Sequence, residues 1–483
     1  MDVRTLTGEV WDSLGVNVDT DGGDLSHLTI TGPAHVLPSV FPVTAVATAG
    51  VALATLAVAR LGRARGTTPG MPRVVVDSRH ASLACASERY LCALDADLGD
   101  IWDPIAGNYA AADGWIRLHT NFRRHRRAAL TTLGLAKDGD GTDGTDDAGG
   151  DVDRSAVAAA VARWKAVELE DAVVAAGGCA AALRTVDEWR ATEAAATVAA
   201  QPLIDLTRLA DAPLPNPAGT PPRNRPLQGI RVLDLTRVLA GPVAGRFLAA
   251  YGADVLRVDE PPGEDGAVVV ADTTVGKRAT ALDLRDPAGR ERFEQLLAAA
   301  HVVLCAYRPG ALAALGYGPD ELAAQRPGLV VATLSAYGDQ GPWGGRRGFD
   351  SVVQVATGIA DECRRATGAE RPGALPVQLL DHVTGYLTAA GVATALARRY
   401  TGGGSWRVTT SLARTATWLL DLPRAGALDL PPLPPTLPDD LAVDLHGPLG
   451  HTRHVACPGA IVGAAPVWRS GPVPLGGDDP SWR

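Results

Sequence analysis

Short apolar runs alternate with longer mixed segments between residues 230 and 334. Each run is about as long as a buried strand, and the mixed segments carry their charges at helical spacing. The pattern predicts strands at Ile230–Leu235, Asp254–Val258, Arg278–Leu284, His301–Cys305 and Leu329–Leu334. It predicts helices at Ala240–Tyr251 and Pro287–Ala300, since proline suits the first turn of a helix. Strands that alternate with helices indicate an α/β fold with a doubly wound, mostly parallel sheet.

A second pattern covers Leu375–Leu412, in which an apolar run reaches Asp381 and an alanine-rich helix follows. Thr401–Gly404 ends that helix, and Arg407–Ser411 has the composition of a strand. Aspartate is a preferred residue at a helix start, so one interpretation of Asp381 is an N-cap. The other is a nucleophilic carboxylate, kept ionised by the positive end of the helix dipole. Composition favours the cap, but nothing in the local pattern decides between the two.

The segment Phe41–Ala59 aligns with the segment that starts at Asp381. The shared positions are Val43/Val383, Thr44/Thr384, Thr48/Thr388, Ala49/Ala389, Leu56/Leu396 and Ala57/Ala397. A strand that opens Arg-Val follows both segments, and we interpret them as a degenerate internal repeat of one helix–turn–strand unit. In the first copy Phe41 takes the place of Asp381. That copy is uncharged and long enough to span a membrane, but small residues dominate it, so we expect a buried helix and no membrane.

Residues 101–226 have a different composition. Asp113-Gly114 between two β-like runs predicts a hairpin, the Asp/Gly-rich tract Lys137–Asp153 predicts a loop, and helices are predicted from Ser155 to a stop at Gly177-Gly178. Asp211–Pro226 contains six prolines and reads as an interdomain linker. We therefore expect a degenerate α/β half-unit at 1–100, a small α+β domain at 101–210, a linker at 211–226, an α/β domain at 227–420 and a Pro/Gly-rich return segment at 421–483.

The composition limits the classes of partner and ligand that we expect for this protein. The 483 residues are 46% hydrophobic, enough for two or three cores, and a formal net charge of −9 argues against a nucleic-acid partner. The six cysteines show no metal-binding spacing, so we expect free thiols, no metal site and a cytoplasmic protein. The N-terminal residues lack the apolar core of a signal peptide.

The sequence that follows the first predicted strand of the α/β part could be interpreted as a dinucleotide-binding segment. However, its Gly241–Gly245 segment, GPVAG, lacks the G-x-G-x-x-G spacing of the phosphate-binding turn, which makes NAD a weak candidate. A helix that begins here still offers free backbone N–H groups and positive potential to a pyrophosphate.

The chain resembles the class III CoA-transferases at three places. These are Asp381 in the sequence LLDHVTG, the helix sequence ALARRYTGGG and the motif V-x-A-G-P at Val238–Pro242. That family includes formyl-CoA and carnitine CoA-transferases and the related α-methylacyl-CoA racemases. The resemblance implies that Asp381 forms a covalent intermediate while CoA passes from an acyl-CoA thioester to a carboxylic acid. It also implies a homodimer, and CoA as a co-substrate with no permanently bound cofactor.

The same resemblance implies a set of CoA contacts. These are Leu239, Ala240, Lys277, Arg278, Leu282, Arg285, Tyr307, Arg308 and Arg347. The chain departs from the family at Ala306, at Glu260 and in its domain order, which leaves a non-catalytic acyl-CoA-binding protein as an alternative. A racemase or lyase is the third hypothesis, but Phe349 stands where racemases carry a histidine. An apolar ring cannot shuttle protons, so transfer is favoured.

Overall fold

A computed structural model describes residues 2–15, 23–95, 97–136, 152–215, 222–261 and 263–483. Most of the predicted loop Lys137–Asp153 and part of the predicted linker lie outside these residues. The N-terminal unit consists of α1 (Val3–Ser13), β1 (Leu28–Thr31), α2 (Val43–Ala64), β2 (Val74–Asp77), α3 (Ser78–Ala84), α4 (Ser87–Tyr90) and β3 (Cys92–Ala93).

A small unit with its own apolar core follows the N-terminal unit. It consists of β4 (Gly107–Ala110), β5 (Trp115–Leu118), α5 (Arg123–Thr132), α6 (Arg154–Val161), α7 (Ala166–Ala175), β6 (Ala180–Ala182), α8 (Val186–Arg190) and α9 (Glu193–Ala199). The predicted hairpin is present, since β4 pairs antiparallel with β5, and β6 extends the sheet on the other side of β5. Ile116, Leu118 and Val173 lie at the centre of this core.

The rest of the chain forms the large sheet and a tail. Its elements are β7 (Asp205–Ala210), β8 (Arg231–Leu235), α10 (Ala240–Ala250), β9 (Asp254–Asp259), α11 (Ala267–Thr273), β10 (Arg278–Ala281), α12 (Pro287–Ala299), β11 (Val302–Cys305), α13 (Pro319–Gln325), β12 (Val330–Ser335), α14 (Asp350–Ala356), α15 (Ile359–Thr367), α16 (Leu379–Gly402), β13 (Ser405–Ser411), α17 (Leu412–Asp421), β14 (Ala442–Gly447), β15 (Gly450–Val455) and β16 (Ala460–Ile461). Short 3₁₀ turns lie at Asp24–His27, Ala313–Leu315 and Asp439–Leu441.

The large sheet has the strand order β10-β9-β8-β11-β12-β13-β7. All its pairings are parallel except that of the edge strand β7, which runs antiparallel to β13. Both faces are buried: along β12, Val330 and Ala332 enter one core while Val331 enters the other. This alternation follows from the period of two along a strand, and it confirms the mostly parallel α/β sheet predicted from sequence.

One predicted boundary differs from the structure. Residues 205–210 were placed in the small domain, but β7 hydrogen-bonds to β13 and is part of the large sheet. The reason is that the sheet edge next to β13 needs a partner for its backbone groups, and the short run at Asp205–Ala210 supplies one. The small unit therefore ends before β7, and its last two helices, α8 and α9, pack into the largest core through Trp189 and Val198.

The two long helices α2 and α16 pack directly against each other at the centre of the largest core. Close approach is possible because small residues lie at the contact: a β-carbon built on Gly50 would lie 3.4 Å from the side chain of Val383. By length and hydropathy α2 could span a membrane, but 94% of its most apolar window is buried inside the protein. Its apolar surface is thus satisfied by α16 and its neighbours, as a core helix requires.

The two units of the predicted repeat share an order of elements. In each, a long helix is followed by a strand and by a further helix whose first turn is capped by the last residue of the strand, Asp77 in one and Ser411 in the other. Their strands lie in different sheets, since β2 pairs with β1 and β16 and β13 pairs with β12 and β7. The repeat itself stays a prediction.

Candidate active site

Asp381 lies in the first turn of α16, but it does not cap the helix. The helix begins at Leu379, the cap position is Gln378, and no side chain of α16 satisfies the first N–H groups. Asp350, at the start of α14, takes that role: its Oδ2 accepts hydrogen bonds from the backbone N–H of Leu380 at 2.8 Å and of Asp381 at 3.2 Å. The N-cap interpretation of Asp381 is therefore wrong, and its carboxylate is left for another purpose.

The carboxyl group of Asp381 is buried without a donor. The residue is 6% exposed, and among the described residues no hydrogen bond reaches its carboxylate oxygens. Burial raises its pKa well above the ordinary value, and the carboxylates of Asp350 and Glu88 raise it further. Such a carboxylate is poorly solvated, so it is more basic and more nucleophilic than an exposed one once it is ionised.

Asp350 is the fixed member of this carboxyl pair. Burial raises its pKa to about 6, while hydrogen bonds from the Gln354 amide and from two backbone N–H groups oppose the shift. The Gln354 side chain is held in turn by the backbone N–H of Leu375, 2.8 Å from its Oε1. Because Asp350 is anchored on both oxygens, the start of α16, and with it Asp381, has a defined position.

The strand order places Asp381 at a crevice. β8 has β9 on one side and β11 on the other, so the connections leave the carboxyl ends of β8 and β11 in opposite directions and open a gap between them. Leu239, Ala240, Tyr307 and Arg308, from the two loops at this gap, line a cavity of about 860 Å³ together with Asp381. We call it the arginine cavity.

The loop after β8 is held in an unusual conformation. Val238 has a φ of 66°, which among the described residues makes it the one non-glycine residue with positive φ. Its N–H donates to Asp265 Oδ2 at 3.2 Å, and the same carboxylate pairs with Arg257 and Arg237. This buried charge cluster offsets the cost of the left-handed backbone, which is of order 1–3 kcal/mol, and turns the start of α10 towards the cavity.

Positive charge dominates this cavity. Its lining includes Arg124, Arg237, Arg308, Arg346 and Arg347. Two of them are neutralised: Arg237 pairs with Asp265 at 3.2 Å, and Arg346 pairs with Glu170 while its guanidinium lies 4.0 Å from the Trp343 ring.

The other three arginines have no ion pair within the described parts of the chain, and burial together with the charges of Arg124 and Arg308 lowers the pKa of Arg347. Three uncompensated guanidinium groups suit a ligand with several negative charges.

The residues expected from the resemblance divide into three groups. Leu239, Ala240, Tyr307, Arg308 and Arg347 line the arginine cavity with Asp381. Leu282 and Arg285 line an adjacent cavity of about 660 Å³, which Tyr307 also borders. Arg285 in this cavity is exposed and forms ion pairs with Glu260 and Asp283. Glu260 therefore neutralises positive charge that would otherwise be available to a phosphate group.

Lys277 and Arg278 do not face either cavity. The ammonium of Lys277 is fully buried beneath α10, 2.7 Å from Asp234 and 2.9 Å from the carbonyl oxygen of Pro242, and burial lowers its pKa to about 8. Arg278 pairs with Asp254 at 2.9 Å. Both cations hold the sheet and the start of α10 together, because a buried charge is paired before it is free to bind a ligand.

A further cavity, of about 530 Å³, lies on the other side of Asp381. Asp381, Val238, Leu239 and Phe349 border both this cavity and the arginine cavity. Its remaining lining comes largely from the N-terminal and small units, including Glu88, Arg89, Trp102 and His119. We call it the inner cavity, and Asp381 stands on the wall between the two.

A family model decides the nature of the α/β part. The model of CoA-transferase family III matches residues 227–428, which contain the crevice between β8 and β11, both of its loops and Asp381. In this segment the chain is therefore similar to CoA-transferase family III.

Known proteins with similar sequences align with part of this chain. An acyl-CoA transferase of Gibberella moniliformis is 33% identical over 315 residues, which are 63% of this chain and 54% of that protein. A probable fatty acyl-CoA transferase of Mycobacterium tuberculosis is 36% identical over 204 residues, 40% and 50% of the two chains. The crystal structure of that mycobacterial protein covers 40% of this chain and 56% of its own, with a TM-score of 0.37. The chain spans about half the length of the curated relatives it matches.

Several site residues come from outside the family III segment, and the sequence analysis missed them. Phe122, Arg124 and His125 at the start of α5 line the arginine cavity, and Glu88 binds the neighbour of Asp381, its Oε2 lying 3.0 Å from His382 Nε2. The basic run at Arg123–Arg127 was a readable signal for an anion site. The sequence around Glu88 gave no such signal, because its role depends on a contact between residues far apart in sequence.

Proposed function

We propose that this protein transfers CoA from an acyl-CoA thioester to a carboxylic acid through a covalent intermediate on Asp381. The observation that carries the proposal is a buried carboxylate on the wall of an arginine-lined crevice, to which no described residue donates a hydrogen bond. The family III match and the names of the relatives support the class of reaction. They leave the acyl donor and the acceptor open.

The first half of the reaction transfers the acyl group and then CoA to the protein. An oxygen of the ionised Asp381 attacks the thioester carbon, the C–S bond breaks, and CoA leaves as a thiolate, which gives a mixed acyl-aspartyl anhydride. The thiolate then attacks the aspartyl carbonyl carbon, and the acyl group departs as a free carboxylate. The protein now carries an aspartyl-CoA thioester, and no oxidant or reductant has been needed.

The second half reverses these steps with the acceptor. Its carboxylate attacks the aspartyl thioester, thiolate leaves, and the thiolate then attacks the acceptor's carbonyl in the new anhydride. This forms the product acyl-CoA and restores the carboxylate of Asp381. Asp350 keeps the start of α16 in place throughout, so the same carbon meets the thiolate at each step.

The charges of the arginine cavity fit the CoA half of the substrate. Arg124, Arg308 and Arg347 offer positive charge to its phosphates, and the N-terminus of α10 adds free backbone N–H groups. Leu282 and Tyr307, in the adjacent cavity, offer apolar and aromatic surface to the adenine. The absence of the dinucleotide glycine spacing argues for CoA over NAD.

A racemase on the same fold is the second candidate, because the structure brings two histidines near Asp381 that the sequence pattern did not connect. His125 lines the arginine cavity and His119 lines the inner cavity. Burial lowers the pKa of His125 to about 3 and that of His119 well below its usual value. Bases this weak are poorly matched to removing a proton at neutral pH, which favours transfer.

Two further properties are part of the proposal: the cysteine pattern favours a cytoplasmic location, and the family resemblance implies a homodimer. We propose a cytoplasmic protein that forms a homodimer. Sedimentation of the purified full-length chain at several concentrations tests the dimer, and a single monomeric species over the whole range contradicts it.

Trapping tests the covalent step. The full-length protein is incubated with an acyl-CoA and hydroxylamine, which converts an activated aspartyl group to a hydroxamate, and the modified peptide is located by mass spectrometry. We expect modification of Asp381 that requires the acyl-CoA, with Asp350 unmodified and no product in an Asp381→Asn variant. A protein that binds acyl-CoA tightly but is never modified would be the non-catalytic binder of the alternative hypothesis.

A further inference from the structure

The inner cavity differs from the arginine cavity in charge. Across the shared wall at Asp381, the three guanidinium groups without ion pairs on one side give way to the carboxyl groups of Glu88 and Asp350 on the other. CoA carries several negative charges at one end and its acyl group at the other. An acyl-CoA whose phosphates lie in the arginine cavity and whose thioester meets Asp381 therefore directs its acyl group into the inner cavity.

Charge in the inner cavity disfavours a second carboxylate. Glu88, Asp350 and Asp381 line it, against Arg89 as the one Lys or Arg among its described lining residues. The guanidinium of Arg89 is already engaged, since it donates to the carbonyl of Pro376 at 2.7 Å and its Nε lies 3.8 Å from Glu88. An additional carboxylate on the acyl group would meet like charge here, and among the described lining residues the one guanidinium group is already engaged.

Aromatic rings form part of the wall of the inner cavity. The rings of His119 and Phe349 are stacked with centroids 3.6 Å apart and nearly parallel planes, and the ring of Trp102 meets His119 edge-on at 6.0 Å. The His119 imidazole is neutral because burial lowers its pKa well below the usual value. An aromatic wall of this kind favours a flat, uncharged ring as occupant.

We infer that the inner cavity is the acyl site and that it selects an uncharged acyl group with an aromatic body, as in an aryl or arylalkyl monocarboxylic acid. The inference rests on the proposed CoA transfer and names its substrate class. The carboxyl end of the acid is consumed in the thioester at Asp381, so the part that enters the cavity carries no charge. Dicarboxylic acids, whose second carboxylate would enter, are the disfavoured class.

Thiol release from two thioesters tests the inference. The full-length protein is given phenylacetyl-CoA or succinyl-CoA with hydroxylamine, and the single-turnover release of CoA, one equivalent for each Asp381 converted to the hydroxamate, is measured at limiting thioester and corrected for a protein-free control. Its second-order rate constant is taken as kcat/KM. We expect phenylacetyl-CoA to react at least about ten times faster, the effect of one like-charge or stacking interaction. Equal or faster reaction of succinyl-CoA overturns the acyl class but leaves the transfer reaction intact. Binding of both thioesters without thiol release overturns the transfer reaction, and the inference with it.

A pair of tryptophan variants ties the selectivity to the cavity wall. Trp102→Ala should lower the phenylacetyl-to-succinyl ratio of kcat/KM about ten-fold, and Trp102→Phe should restore most of it. Trp164→Ala is the matched control, because Trp164 packs against the core of the same small unit away from the inner cavity. A ratio unchanged in Trp102→Ala, or lowered equally in Trp164→Ala, contradicts the assignment of the ring wall.

Discussion

The helices α2 and α16 have similar composition, similar length and a mutual interface, yet only α16 carries a carboxylate in its first turn. Asp381 opens α16 beside two cavities, whereas Phe41 precedes α2 and is 1% exposed, with the Arg424 guanidinium 4.6 Å from its ring. Neither helix is capped by a side chain of its own. The difference lies in the surroundings: the crevice between β8 and β11 and the Asp350 carboxylate exist at one end only. The helix supplies a scaffold, and the neighbours make the site.

The largest effect is expected from removing the carboxylate of α16, the group that distinguishes this helix from α2. Asp381→Asn keeps the shape of the side chain but removes the nucleophile, so CoA exchange should fall at least about a thousand-fold, as losses of a covalent nucleophile do. The fold should persist, because among the described residues no hydrogen bond reaches the carboxylate. Exchange kinetics and circular dichroism measure the two effects. An active variant would refute Asp381 as the nucleophile.

Removing the equivalent ring before α2 should do the reverse. Phe41→Ala deletes a fully buried aromatic side chain, which costs about 3–5 kcal/mol of unfolding free energy. Activity per folded molecule should be kept, since Phe41 lines neither the arginine cavity nor the inner cavity. Urea unfolding followed by fluorescence, with exchange rates measured under fully folding conditions, separates the two. A stable but inactive Phe41→Ala protein would place a function in the α2 half.

The charge difference between the two sides can be tested with matched arginines. Arg308 lines the arginine cavity and Arg371 lies on the surface elsewhere, and both side chains are exposed. Arg308→Ala should weaken CoA binding by about 1.5–3 kcal/mol, the value of a hydrogen bond to a charged group, while Arg371→Ala should leave it unchanged. Isothermal titration with CoA and with NAD measures this. Equal losses in both variants, or tight NAD binding without a CoA signal, would contradict the CoA site.

Two glycines sharpen the comparison of the helices themselves. A β-carbon on Gly385 of α16 would lie 2.5 Å from the carbonyl oxygen of Ala240, the first residue of α10, whereas one on Gly50 of α2 would make ordinary contacts. Gly385→Ala should cost about 1–3 kcal/mol and reduce activity, because it pushes the start of α10. Gly50→Ala should be neutral or stabilising by up to about 1 kcal/mol, since alanine favours helix. Thermal unfolding of the two variants should therefore differ in sign.

The smallest expected effect is a dependence of stability on pH. The pKa of Asp381 is raised in the folded state, so above the unfolded value of about 3.9 the folded state binds more protons and the unfolding free energy falls as pH rises. Asn does not titrate. The Tm of Asp381→Asn minus that of the parent should grow from pH 4 to pH 8, by a few degrees.

A true N-cap gives the opposite sign and serves as the control. Asp286 caps α12 through a hydrogen bond from the Gly289 N–H at 3.1 Å, and Asp286→Ala should lower stability at pH 8 by about 0.5–2 kcal/mol. If Asp381→Asn were also less stable at pH 8, the carboxylate would be stabilising the helix after all.

Much of the α/β sheet was predictable because its strands are buried on both faces. Such strands appear in the sequence as continuous apolar runs. The prediction that Asp381 is a nucleophile came from the resemblance, since its local pattern favoured a helix cap. The role of Asp350 could not be seen, because a carboxylate that caps a distant helix leaves no mark near that helix. Lys277 was assigned to CoA since sequence cannot tell a buried, paired cation from a free one. The edge strand β7 was missed for a similar reason, because its partner is distant in sequence.

The contact between α2 and α16 also governs how the chain can fold. During synthesis α2 emerges early, but the residues that cover it, Val383 and Tyr386, are made much later. The same holds for Leu14, whose carbonyl accepts from the Arg398 guanidinium 384 residues further on, and for β2, whose edge is closed by β16. The long apolar helix α2 must therefore remain uncovered until late in translation. Folding should be slow and dependent on holding chaperones, and a ribosome stalled before residue 379 should expose an aggregation-prone nascent chain.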